Sequence, residues 1–213
     1  MLRVERDFFR RDPVTCAREL IGMEFTWEGC SGIIVETEAY AEVGDAACHT
    51  FFRPSARRFV RGQDAGTAYV YLNYGVHWLT NVLVKSDSGS GFVLLRALVP
   101  ISGIDTMRCR RAKDRLTDLC SGPGKLSAAL GIAGSAHGSC LVSQPDRGFS
   151  AGADHQPPDI VADLRIGISA DIALPWRFLA RDSPFVSVKP RCASAGPGNP
   201  PIRRSRPRSP SPP

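Results

Sequence analysis

The chain has 213 residues, 43% of them apolar and 23% charged, a composition able to bury one sizeable core or two small ones. Its net charge of +6 resides at one end: from Lys189 to Pro213 there are six basic residues and no acids, so the body before them is formally neutral and the high pI is no sign of a basic face. Seven cysteines at irregular spacing, with no Cys-x-x-Cys pair, argue against a disulfide framework and against a zinc site.

The start, Met1-Leu2-Arg3-Val4-Glu5, is charged rather than signal-like, and no run approaches about 18 uncharged apolar residues. The expectation is a reduced, soluble, intracellular protein without a membrane partner. Asp12 as N-cap, Pro13 in the first turn and Gly22 as stop predict a short helix over 14–21. Strands are predicted over 23–27 and 32–40, joined by a turn at Glu28-Gly29-Cys30. Residues 50–66 are polar and arginine-rich without clear periodicity, which predicts a loop. A hairpin is expected from 67–72 and 76–85 around Asn73-Tyr74-Gly75, then an apolar strand over 92–99 interrupted by Arg96. Helices are predicted over 104–113 and 123–130, irregular surface over 134–158, and closing strands over 161–168 and 176–179. Beyond Val188, eight of the last 25 residues are proline, which predicts a disordered tail.

All four tyrosines fall between Tyr40 and Tyr74. A tyrosine offers an apolar face and one polar tip, which suits a pocket for a flat polar ring. On a strand, Glu36, Glu38 and Tyr40 share one face. Two readings stay open: a solvent-facing strand edge, or carboxylates at a cleft, as the preceding apolar run Gly32-Ile33-Ile34-Val35 suggests. Arg96, if buried, needs a partner; Glu38 is the obvious one, in a structural ion pair or a working one. Tyr74 sits where hairpin tips usually place small polar residues. Its ring either folds back on the sheet or serves as a wedge into a base stack. His49 reads more simply as a structural histidine than as a metal ligand. Gly122-Pro123-Gly124-Lys125 lacks phosphate-loop spacing, yet a helix start with one lysine is a phosphate contact in form.

Taken in order, Ile34-Val35-Glu36-Thr37-Glu38-Ala39-Tyr40, His49, the run from Ala68 to Gly75, Asn81, Val93-Leu94-Leu95-Arg96-Ala97-Leu98, Cys120 to Leu126, Arg165-Ile166-Gly167-Ile168 and Pro175-Trp176-Arg177-Phe178 resemble the alkyladenine (3-methyladenine) DNA glycosylase family. The resemblance spans nearly all of residues 3–188. It implies a mixed α/β (α+β) fold, a single domain over 1–188 around a curved antiparallel sheet with a protruding β-hairpin, and leaves 189–213 as a basic tail. It implies a monofunctional hydrolase of the N-glycosidic bond of alkylated purines, with no cofactor and no metal. Its partner is double-stranded DNA containing damaged purines, met as a monomer in the bacterial cytoplasm or a eukaryotic nucleus. By position, Glu38 matches the general base and Arg96 the residue that helps hold the attacking water. Tyr40 and His49 match one pocket wall and Tyr71 the opposite one. Asn81 matches the amide that disfavours guanine, Tyr74 the intercalating residue and Lys125 a phosphate contact. Asp64-Ala65-Gly66 and Arg57-Arg58 depart from the Pro-Gly and Arg-Asn pairs common in relatives. A non-catalytic damage-binding protein and a hydrolase of free nucleosides are the competing readings.

Overall fold

The computed structural model describes residues 2–87, 89–152, 156 and 158–190; the expected tail lies outside them from residue 191 onward. The first helix begins as its sequence dictates. Asp12 accepts the Thr15 N–H at 2.8 Å, Pro13 occupies the first turn, and α1 runs Pro13–Glu19. Gly22, at φ +88°, turns the chain into β2 (Glu24–Trp27). Glu28 and Gly29, both left-handed, return it into β3 (Cys30–Ala41). The buried Cys16–Ala17 face of α1 lies on β3, where Thr37 donates to the Ala17 carbonyl at 2.7 Å.

Strand β3 is the axis of the molecule. Along one edge it pairs with β6 (Gly89–Ser102); along the other its first half pairs with β2 and its second half with β9 (Arg177–Ala180). Beyond β6 lie β5 (His77–Ser86) and then β4 (Ala68–Asn73). Beyond β2 lie β7 (Arg147–Ala151) and β1 (Leu2–Arg3), while β8 (Ile160–Asp163) pairs with β9. Among the described residues this makes one open antiparallel sheet of nine strands in a single mixed α/β domain. Four more helices cover it: α2 (His49–Phe52), α3 (Pro54–Gly62), α4 (Ile104–Arg111) and α5 (Pro123–Leu130). No helix among the described residues is long and apolar enough to cross a membrane.

The β3–β6 register slips three times, once at Ser31/Gly32 and then twice, in opposite senses, near the middle of β3. Ile34 faces Leu98, Glu36 faces Ala97 and Thr37 faces Leu95, so Val35 is the extra residue on β3 and Arg96 the extra residue on β6. Bulges of this kind re-aim side chains, and here they sit beside the two buried glutamates.

Three sequence expectations are corrected. Residues 50–66 are largely helical: α2 and α3 fill them, and α3 buries only Ala56 and Val60, one turn apart, beneath an arginine-rich outer face. Two buried positions and a partly buried Phe59, in contact with Tyr69, are too few to betray a clear period in sequence. Within 134–158, expected to be irregular, β7 forms between β1 and β2. Its buried Phe149 stacks with Phe9 and Phe25 at 5.3 and 4.9 Å, each ring contributing about 1.5–3 kcal/mol by burial. Its partners lie more than a hundred residues away in the chain, which hides the pairing. The strand expected over 161–168 stops at Asp163, because Arg165 and Ile166 turn to the interior contacts described below. The other expected elements stand within a few residues of their predicted ends.

Candidate active site

After the Val35 bulge, β3 presents Glu36 and Glu38, both with no exposed surface. Arg96, buried beside them, reaches both: Nε donates to Glu36 Oε1 at 2.9 Å and Nη1 to Glu38 Oε2 at 3.2 Å. Arg177 on β9 adds Nη1 to Glu36 Oε1 at 3.0 Å and Nη2 to Asp163 Oδ2 at 2.6 Å. Glu36, Glu38 and Asp163 thus meet Arg96 and Arg177 in one buried network of charges. Desolvation largely offsets attraction in such a cluster, so it adds little net stability. Its retention points to chemistry.

Glu38 accepts two further bonds, from the Tyr40 hydroxyl to Oε2 at 2.8 Å and from the Ile166 N–H to Oε1 at 2.7 Å. Burial pushes its carboxyl above the ordinary value, and Arg96, the Ile166 amide and Tyr40 hold that rise in check. Arg96 stays charged: although burial opposes it, Glu38 and Glu36 raise its pKa. Burial and the neighbouring Glu38 hold Tyr40 well above the usual phenol range, so it remains a donor.

A cavity of about 840 Å³ adjoins this cluster, within the range of small-molecule sites. It is lined by Tyr40, His49, Tyr71, Asn81 and Arg96, with Tyr74 and Lys125 on the same lining. Glu38 stands one side chain behind the wall that Tyr40 and Arg96 form. Within this lining His49 packs edge-on against Tyr71, ring centroids 4.4 Å apart. Its Nδ1 lies 3.0 Å from the Tyr69 hydroxyl. Burial, aided by Arg53, pushes the His49 pKa down to about 4, so the ring is neutral at neutral pH and adds no cation to the cavity. Tyr40 is fixed from elsewhere. The Arg165 guanidinium sits 4.7 Å from its ring centre and is itself clamped by both oxygens of buried Asp45 at 2.6 and 2.8 Å. On β6, Gly91 has no room for a side chain, since a Cβ there would stand 2.2 Å from the Tyr40 carbonyl. Asn81 is buried on β5 and spends one amide N–H on the Tyr69 carbonyl at 3.1 Å.

Tyr74 joins β4 to β5. It is 87% exposed and left-handed at φ +50°, followed by Gly75 at +70°, and the Val76 N–H closes the turn on the Asn73 carbonyl at 3.1 Å. A bulky residue in that conformation costs about 1–2 kcal/mol, and little of the ring is covered among the described residues to offset it. Lys125 stands in the first turn of α5, with Nζ 3.4 Å from Ser121 Oγ. Arg111 shares the cavity lining and carries a buried Nε with no hydrogen-bond partner among the described residues.

A model of the methylpurine-DNA glycosylase family matches residues 7–184. The chain belongs to that family. It is therefore a DNA glycosylase, a DNA-repair hydrolase. Its relatives include a protein of Rhodopseudomonas palustris strain HaA2, 43% identical over 87% of this chain and 90% of its own. A protein of Agrobacterium fabrum is 44% identical over 87% and 93%, and one of Rhizobium meliloti 42% identical over 86% and 95%. All three are provisionally named 3-methyladenine DNA glycosylases. Within the glycosylase, sequence reasoning had put Glu36 on the strand face of Glu38 without giving it a role, and had missed Arg177, Asp163, Asp45 and Arg111 as parts of the site. An acidic residue two positions before Glu38 on the same strand was the one readable signal. The others are joined to the site only by the fold.

Proposed function

We propose that this glycosylase flips an alkylated purine nucleotide out of duplex DNA and hydrolyses its N-glycosidic bond with a water activated by Glu38. The observation that carries this reading is the buried Glu38 carboxyl, tied to Arg96 and Tyr40 immediately behind an aromatic cavity. A glycosidic bond inside a duplex is out of reach of an enzyme-bound water, so the nucleotide must leave the stack, as the glycosylase class does. Alkylation at a ring nitrogen makes the purine cationic. It then leaves more readily and is drawn to the electron-rich faces of Tyr40 and Tyr71, with His49 neutral beside them.

As the bond to the base breaks, positive charge grows on the sugar. The ionised Glu38 carboxylate, held in place by Arg96 and the Ile166 N–H, favours that state, and favours it more for being buried. Glu38 takes a proton from the water attacking C1′, sharing or displacing the Tyr40 hydroxyl now on its Oε2. Arg96 holds the carboxylate and the water. Asn81, with one N–H engaged, reads the flipped base's polar edge against guanine. On this reading the glycosylase is a monofunctional hydrolase, in which water rather than a lysine amine attacks the sugar. The β4–β5 hairpin protrudes into the DNA, with Tyr74 filling the gap left by the flipped nucleotide. Lys125, with Arg111, faces phosphate at the start of α5. Residues 1–188 form the catalytic domain, a monomer on damaged double-stranded DNA, in whichever compartment holds that DNA. The test is single-turnover release of base from a duplex carrying one alkylated purine, scored as alkali-labile sites, for wild type beside Glu38→Gln. Undiminished release by the variant removes Glu38 from the role.

A further inference from the structure

After β9 the chain reverses, the Ser183 N–H closing on the Ala180 carbonyl, and runs back over the buried charges. Its contacts there are made by two residues. The Ser187 N–H donates to Glu36 Oε2 at 2.5 Å, and the Ser187 hydroxyl donates to Glu36 Oε1 at 2.8 Å while accepting from Arg96 Nη2 at 3.2 Å. The Val188 carbonyl accepts from Arg177 Nη1 at 3.1 Å. Ser187 also abuts Gly122 at the start of α5.

The consequence lies in the geometry of the Arg96 fork. A guanidinium is planar, so three bonds to three of its nitrogens fix both its plane and its rotation within that plane. Nε is held by Glu36, Nη1 points at Glu38, and Nη2 is held by Ser187. Glu36 and Glu38 alone leave the plane free to swing about the line joining them. Ser187, arriving from a segment distant in sequence, removes that freedom.

We propose that Ser187 is a positioning residue for base release: its hydroxyl locks the Arg96 guanidinium in the orientation that presents Nη1 to Glu38. This rests on the reading of Glu38 as the base. The charged and titratable groups around the pair are Glu36 and Tyr40 on β3, Arg177 on β9, Arg165 beyond β8 and Tyr71 on β4. Removing the Ser187 hydroxyl touches one of them directly, since Glu36 Oε1 loses that bond, while Glu36 keeps the Ser187 N–H, Arg96 and Arg177.

The experiment follows single-turnover base release as a function of pH, with duplex binding measured in parallel, for the full chain and its Ser187→Ala and Ser187→Thr variants. Ser187→Ala is expected to slow release about tenfold, the scale of one hydrogen bond to a charged group, with DNA affinity within about twofold of wild type. The acid limb should move to higher pH, because a looser Arg96 attracts the Glu38 anion less. Ser187→Thr, which keeps the hydroxyl, should restore rate and limb. A wild-type rate and limb in Ser187→Ala overturns the proposal. So does slowed release with an unmoved limb and no rescue by threonine, which marks a packing role only. If the alanine variant does not fold, Ser187→Cys, close in size but a poor hydrogen bonder, is read by the same criteria. Undiminished release by Glu38→Gln refutes the underlying reading whatever Ser187 does.

Discussion

Two strand pairs of one sheet are built on opposite terms. Between β3 and β6, Glu36, Glu38 and Arg96 are buried, and each is bonded to several partners. At the β4–β5 turn, Tyr74 is left-handed and almost fully exposed among the described residues. The first arrangement removes freedom before the substrate arrives, which is what stabilising a developing charge requires. The second keeps surface and backbone strain in reserve, to be satisfied only when something covers the ring. The contrast fits a reaction whose chemistry is internal and whose substrate must be pulled in from outside.

The sharpest way to break the comparison is at its buried end. Glu38→Gln keeps the shape but removes the charge and the proton acceptor, and single-turnover release should fall by about 10²–10⁴-fold. Arg96→Ala should be costly to the fold itself, by about 3–5 kcal/mol in denaturant unfolding, because Glu36 and Glu38 lose their shared counter-charge. A loss near zero would mean that the cluster relaxes freely and is not preorganised.

Acid is a gentler probe of the same residues. In the proposed role Glu38, raised by burial, is deprotonated to act, so release should decline about tenfold per pH unit below its pKa, which lies above the ordinary value. His49 titrates only near 4, so His49→Gln should leave that limb in place. Its effect belongs to stability. The pKa falls from 6.5 unfolded to about 4 folded, so the neutral ring's contribution is complete above 6.5 and is lost as pH drops toward 4. The melting temperature of wild type should therefore decline more steeply through that window than that of His49→Gln.

The smallest effect is expected at the exposed end, with the opposite sign. Tyr74→Gly removes the left-handed strain and should stabilise the protein by about 1 kcal/mol, while weakening release from duplex DNA more than from single strands. A variant that is less stable would show that the ring packs on its own sheet after all.

Much of this molecule was legible before any coordinates. Asp12-Pro13 and the helix of Pro123–Leu130 announced themselves through local capping and turn chemistry, which acts within a few residues. The alternation of Glu36, Glu38 and Tyr40 along β3 likewise put three side chains on one face. What failed were the features with weak local signals. Helix α3 shows only Ala56 and Val60 as apolar anchors, and β7 is recognised through Phe149 meeting Phe9 and Phe25.

The site divides along the same line. The residue types and their order along the chain already pointed to a glutamate, an arginine and a group of aromatics, because strand periodicity and motif order are written locally. The paired bulges, the approach of Arg177, Asp163 and Ser187 to the two glutamates, the clamp of Asp45 on Arg165 and the packing of His49 on Tyr71 came only with the fold. The physical reason is that burial and charge neutralisation are long-range conditions. A carboxylate's neighbours in space decide how it titrates and what it can do, and for Glu36 some of those neighbours lie more than 140 residues away.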